Sequence, residues 1–115
     1  MQSRYIGLTC IIKQRNSTHY VEVDRTEIIW DNLNPEFNKK FVLDYHFEIH
    51  QMLRFSVYDC DNERTKSLDK QDFLGMIECS LGEIVTGQAG VILYLLTQMI
   101  SNGFFILMSF ITYVT

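Results

Sequence analysis

Between Tyr5 and Ile84 the apolar residues fall in runs of about five to eight, rich in β-branched and aromatic types and broken by turn chemistry. That spacing predicts strands. Tyr5 to Lys13, His19 to Val23 and Thr26 to Ile29 read as the first three. Asn32-Leu33-Asn34-Pro35 then predicts a turn, because the only proline fixes its own φ and drives Asn34 out of the helical region. Phe41, Leu43 and Tyr45 alternate with Val42 and Asp44, and Leu53, Phe55 and Val57 alternate with Arg54, Ser56 and Tyr58. Each of these runs predicts a strand with one face buried and one in water. A polar stretch from Asp59 to Gln71 precedes a last run, Phe73 to Ser80. Short strands with few helix-period segments give an all-β fold, an antiparallel sandwich.

Beyond residue 90 the pattern changes. All 24 charged residues lie between Arg4 and Glu83, and Ile84 to Thr115 carries none. The expected division is therefore 1–90, a folded domain, and 91–115, an uncharged hydrophobic tail. Of the 25 residues from Val91 to Thr115, 17 are apolar, and the length matches the roughly 20 residues that a helix needs to cross a membrane. Gln98, Ser101, Asn102 and Gly103 interrupt its middle, and no Lys or Arg flanks it. A membrane anchor, a pair of buried strands (91–100 and 104–114) and an unselected tail are all compatible with this segment.

Size and charge narrow the function. A chain of 115 residues is one domain, and a net charge of −4 disfavours a nucleic-acid surface, which needs clustered base. Cys10, Cys60 and Cys79 form no C-x-x-C pair, so neither a disulfide framework nor a zinc site is expected, and the compartment is reducing. The N-terminus shows no signal-peptide pattern, so Asn16-Ser17-Thr18, a glycosylation sequon in form, reads as a polar turn.

The candidate chemistry lies in acids. Asp59-Cys60-Asp61 closes an alternating strand, and Asp72 follows the polar loop. Three converging carboxylates repel one another, and a hard cation that prefers oxygen ligands relieves the repulsion, which makes calcium the natural partner. An EF-hand fails on spacing: with Asp59 as position one, Arg64 stands where glycine makes the turn and Lys70 where a Glu is required. A solvated turn balanced by Arg64, Lys66 and Lys70 is the alternative.

The run from Arg25-Thr26-Glu27 through Asn32-Leu33-Asn34-Pro35-Glu36-Phe37, then Leu53 to Asp61, Asp72-Phe73-Leu74-Gly75 and Leu81-Gly82-Glu83-Ile84-Val85, resembles the first C2 domain of the copines over about Lys13 to Gly90. Asp44-Tyr45-His46-Phe47-Glu48 and the Leu-Gly-Glu-Ile-Val ending carry the likeness to copines in particular. The resemblance implies a C2-type antiparallel β-sandwich whose loops hold calcium and so bind anionic phospholipid. Asp59, Asp61 and Asp72 match its third calcium loop, with the Cys60 carbonyl a further ligand. It also implies a cytoplasmic protein recruited to the plasma membrane in trafficking or signalling. Two more aspartates belong on the family's first calcium loop, yet no Asp or Glu precedes Glu22 here. The sandwich is thus expected to be incomplete at the N-terminus and its calcium affinity low.

Lys39, Lys40 and Arg54 are candidates for contact with lipid headgroups. His46 and His50 have helical metal-pair spacing, but the resemblance to the copine C2 domain places them in a strand and turn. Cys60 between two acids makes a poor nucleophile, and Cys79 reads as core. No phosphate loop, dinucleotide fingerprint or catalytic triad context is present, so no enzyme is expected.

Overall fold

A computed structural model describes residues 7–32, 34–60, 72–100 and 107–114. β1 (Gly7–Asn16), β2 (His19–Arg25), β3 (Ile29–Trp30), β5 (Met52–Cys60) and β6 (Asp72–Ser80) form one sheet. Its order is β2-β1-β5-β6, with β3 pairing β1 and every contact antiparallel. β4 (Glu36–Tyr45) lies in a second layer, where it pairs with β7 (Leu107–Val114). That last pair is parallel rather than antiparallel, because the chain between them crosses over through β5, β6 and a helix.

The alternation seen in the sequence fixes the core. Leu8, Cys10 and Ile12 of β1, Leu53, Phe55 and Val57 of β5, and Cys79 of β6 pack against Phe37, Phe41 and Leu43 of β4. β4 behaves as expected, with Phe41 and Leu43 buried and Val42 and Asp44 exposed. β5 does not: from Phe55 to Cys60 it is buried on both faces. It is a central strand, and on its outer side the Phe73 ring of β6 stands edge-on to Tyr58 at 5.5 Å. The apolar content of a strand reports its inner face; cover on the outer face depends on its neighbours.

Two short turns are built as their residues dictate. Ser17 and Thr18 form the exposed β1–β2 turn, so the sequon is a polar hairpin tip. Before Pro35, the Asn34 N–H donates to the Asn32 side chain at 2.8 Å, a turn that asparagine makes with its own backbone.

After β6, Ser80 caps α1 (Leu81–Glu83): the Glu83 N–H donates to the Ser80 hydroxyl, and the Ser80 N–H donates to the Glu83 carboxylate. A wide turn, Ile84–Gln88, holds Gly87 at φ 94°, a conformation that glycine tolerates without a side-chain clash. It leads into α2 (Ala89–Ile100), which packs on β6. Ile92 and Leu96, one turn apart, are buried in the core, whereas Val91, Tyr94 and Leu95 are exposed. At 12 residues α2 is about 18 Å long. Among the described residues no helix is long and apolar enough to cross a membrane. The segment 91–115 therefore begins as a helix seated on the sandwich, and its later part contributes β7.

Candidate metal centre

Two of the acidic positions, 59 and 72, come opposite each other where β5 ends and β6 begins. Pairing along these strands runs evenly from Met52↔Ser80 to Val57↔Gly75 and then shifts, so that Tyr58 faces Phe73 and Asp59 faces Asp72. Leu74 is the extra residue, a β-bulge in β6. Without it Asp59 would stand opposite Phe73. Residues opposite one another on antiparallel strands have Cα atoms about 4.5–5.5 Å apart, and like charges at such positions repel. The bulge thus brings two acidic positions together at one end of the sheet.

Asp59 is 6% exposed, and a carboxylate so far from water is sustained as an anion only beside positive charge or hydrogen-bond donors. The Cys60 side chain is wholly buried, which leaves its main-chain carbonyl as what it can offer a cation. Asp61 lies outside the described residues, and Asp72 is placed by its backbone alone. Among the described residues no three His, Cys, Asp or Glu side chains come together as a metal-binding group. The donor set named from sequence is one of hard oxygens, which suits calcium better than a soft metal.

Asp31, which belongs to no motif in the sequence, sits at the same end. Gly7 pairs with Trp30 on one side and with Cys60 on the other, so Asp31, one residue past Trp30, leaves the sheet at the same end as β5 but with β1 between them. It is exposed and adopts φ 54°, which Asp tolerates better than most residues. Gly7 itself is closely packed by side chains that would have to shift for a larger residue. A Cβ on it would meet Ile28 at 2.7 Å and the Trp30 ring at 2.8 Å.

The three candidate lipid-contacting cations do not form one patch. Arg54 alternates with the core residues Leu53 and Phe55 and so faces outward from the larger sheet. There it binds Glu78 through Nε at 3.0 Å and Nη2 at 2.6 Å, with its guanidinium 3.9 Å above the Tyr20 ring. Lys40 alternates with buried Phe41 and faces outward from the other layer. Lys39 reaches Asp24 at 3.2 Å, while the Asn38 and Lys39 N–H groups donate to the Glu27 carboxylate at 2.7 and 3.2 Å. Two acids from the β2–β3 segment thereby hold the irregular start of β4.

Beside the acids, burial pushes the Tyr58 phenol upward from its ordinary range, opposed in part by the charges of Arg54 and Arg25. Arg25 is held still more firmly protonated by its paired bonds to Glu22, at 2.8 and 2.7 Å. All three cysteines are free thiols. Burial pushes both Cys10 and Cys79 up to about 12, so neither is a nucleophile near neutral pH. His46 and His50 lie at the far end of β4, in and after a turn, as the sequence predicts.

Residues 5–96 match the C2 domain family. The chain belongs to that family. The match runs past residue 90 into α2, whose Ile92 and Leu96 are part of the same core. This C2 domain is also similar to nicotinic receptor-associated protein 1 of Caenorhabditis briggsae, with 46% identity over 70 residues. The matched stretch is 60% of this chain and 11% of the relative.

Proposed function

We propose that this chain is the C2 module of a copine-type protein and binds anionic phospholipid in a calcium-dependent way. The observation that carries this reading is the register of β5 and β6 in a C2 domain, which sets Asp59 opposite Asp72 at a sheet end. Asp59, Asp72 and Asp61, with the Cys60 carbonyl, are the groups that would hold the ion. Calcium, when bound, supplies positive charge that cancels the field of the acids and attracts lipid phosphate. The work of the chain is to hold acidic positions close together on rigid strands, at a self-repulsion that a cation relieves. Lys39 and Lys40 on one layer, and Arg54 on the other, are secondary contacts, since Lys39 and Arg54 already hold Asp24 and Glu78. The chemistry is binding, not catalysis. The setting we propose is the cytoplasmic face of the plasma membrane, in trafficking or signalling.

Co-sedimentation with phosphatidylserine vesicles tests the proposal. The full chain should pellet with vesicles in calcium and stay in solution in chelator, and the combined Asp59→Asn, Asp61→Asn and Asp72→Asn variant should not pellet in either. Equal pelleting of the native chain in chelator would contradict the calcium dependence, and only its loss in a chain ending at Gly90 would make residues 91–115 the membrane-binding element.

A further inference from the structure

The opposite end of the larger sheet carries a second surface that the calcium reading does not use. From Asp59↔Asp72 to Met52↔Ser80 is seven residues of β5, about 23 Å at the usual rise. There β4 turns into β5 through residues 46–51. The Ile49 N–H closes the turn on the His46 carbonyl at 3.2 Å. Gln51, 7% exposed, locks its two sides: its amide donates to the Asp44 carbonyl at 2.9 Å, and its Oε1 accepts the His46 N–H at 2.8 Å. The Gln51 carbonyl in turn accepts the Leu81 N–H at 2.8 Å, which fixes the turn to the start of α1.

On this braced support Phe47 is 73% exposed and Ile49 55% exposed. They border a groove of about 340 Å³ lined also by Tyr45, Glu48, His50 and Gly82. Large apolar side chains held in water on a fixed turn, beside a concave surface, mark a docking site. The charge near it bears on the occupant. Residues 44–51 and 78–88 contain Asp44, Glu48, Glu78 and Glu83 and no Lys or Arg; of the four acids, Glu78 is paired with Arg54. Glu48 lines the groove, and Asp44 and Glu83 adjoin its lining residues Tyr45 and Gly82 along the chain, so the charge there disfavours an anionic bilayer and favours a cationic chain. If the acidic end faces the membrane, a leg that rests on the function proposed above, this end also stands well clear of it.

We propose that the Phe47–Ile49 turn and its groove dock a peptide segment of a partner protein that carries leucine-like side chains together with lysine or arginine. The apolar side chains fill the groove against Phe47 and Ile49, and the cations meet Glu48 and its neighbouring acids. Such binding weakens as salt rises, since exposed charges carry part of it.

Titration of the full-length, isotopically labelled chain with a peptide of alternating leucine and lysine tests this, with its leucine–glutamate counterpart as control. Expected are amide shifts concentrated in residues 44–51 and 80–83 with the basic probe only. Phe47→Ser with Ile49→Ser should weaken binding at least tenfold, and Glu48→Lys should weaken the basic probe while admitting the acidic one. Equal binding of both peptides, or unchanged affinity in the Phe47→Ser/Ile49→Ser variant, overturns the proposal. So does perturbation of the same amides by phosphatidylserine vesicles in chelator, which would make lipid the occupant. Vesicle pelleting in calcium reads the other end of the sheet, so failure of one proposal is separable from failure of the other.

Discussion

At one end of the five-stranded sheet β5 and β6 run into acidic positions, Asp59 opposite Asp72; at the other they meet the Gln51 brace and the Ser80 cap. The acidic end gathers like charge, which favours an added cation. The other end satisfies its own backbone groups through Gln51 and leaves apolar side chains, Phe47 and Ile49, in water. One pair of strands thus carries both proposed sites, an electrostatic one at one tip and a hydrophobic one at the other. Because both tips hang on a single core, core changes should damage them together and local changes should damage them singly.

The largest effect is expected from the shared core. Phe55→Ala should cost about 3–5 kcal/mol and Leu96→Ala about 2–5 kcal/mol in urea unfolding, since both side chains are buried in one cluster. Tyr94→Ala, on the exposed side of the same helix, should stay within about 0.5 kcal/mol. A Leu96→Ala cost no larger than that of Tyr94→Ala would remove α2 from the core. Gln51→Ala is expected to act on one end only. It leaves the His46 N–H and Asp44 carbonyl without their side-chain partner, at a cost of about 1–3 kcal/mol. Hydrogen exchange should quicken at residues 46–51 and remain unchanged around Asp59.

A further effect is absent at neutral pH and emerges only in alkali. Cys10 and Cys79 are raised from 9.0 to about 12 in the fold, so the folded state keeps protons that the unfolded chain releases from about pH 9. Their stabilisation is complete below that pH and is lost as pH rises toward 12. The urea midpoint should therefore fall between pH 8 and pH 11, and less steeply in a Cys10→Ala/Cys79→Ala variant.

The strands were legible because alternation such as Phe41-Val42-Leu43 encodes one buried face directly. The acids were legible as residues flanking a polar loop. Their opposition was not, because it depends on the Leu74 bulge, and Phe73-Leu74-Gly75 reads as ordinary strand sequence. The double burial of β5 was hidden for a similar reason: Phe73 covers Tyr58 only once β6 is paired. Residues 89–100 are helical, yet their composition is so uniformly apolar that no polar stripe marks the period. Arg54, Lys39 and Lys40 were recognisable as cations, but the separation of Arg54 from Lys40 follows from the layers to which their strands belong.

Calcium titration of the full chain, followed through the amide signals of residues 58–60 and 72–73, tests the central claim most directly. We expect saturable shifts confined to that end, absent in the Asp59→Asn/Asp61→Asn/Asp72→Asn variant and much weaker with magnesium, which is less tolerant of irregular oxygen cages. Unmoved signals at millimolar calcium, or equal shifts in the variant, would contradict it.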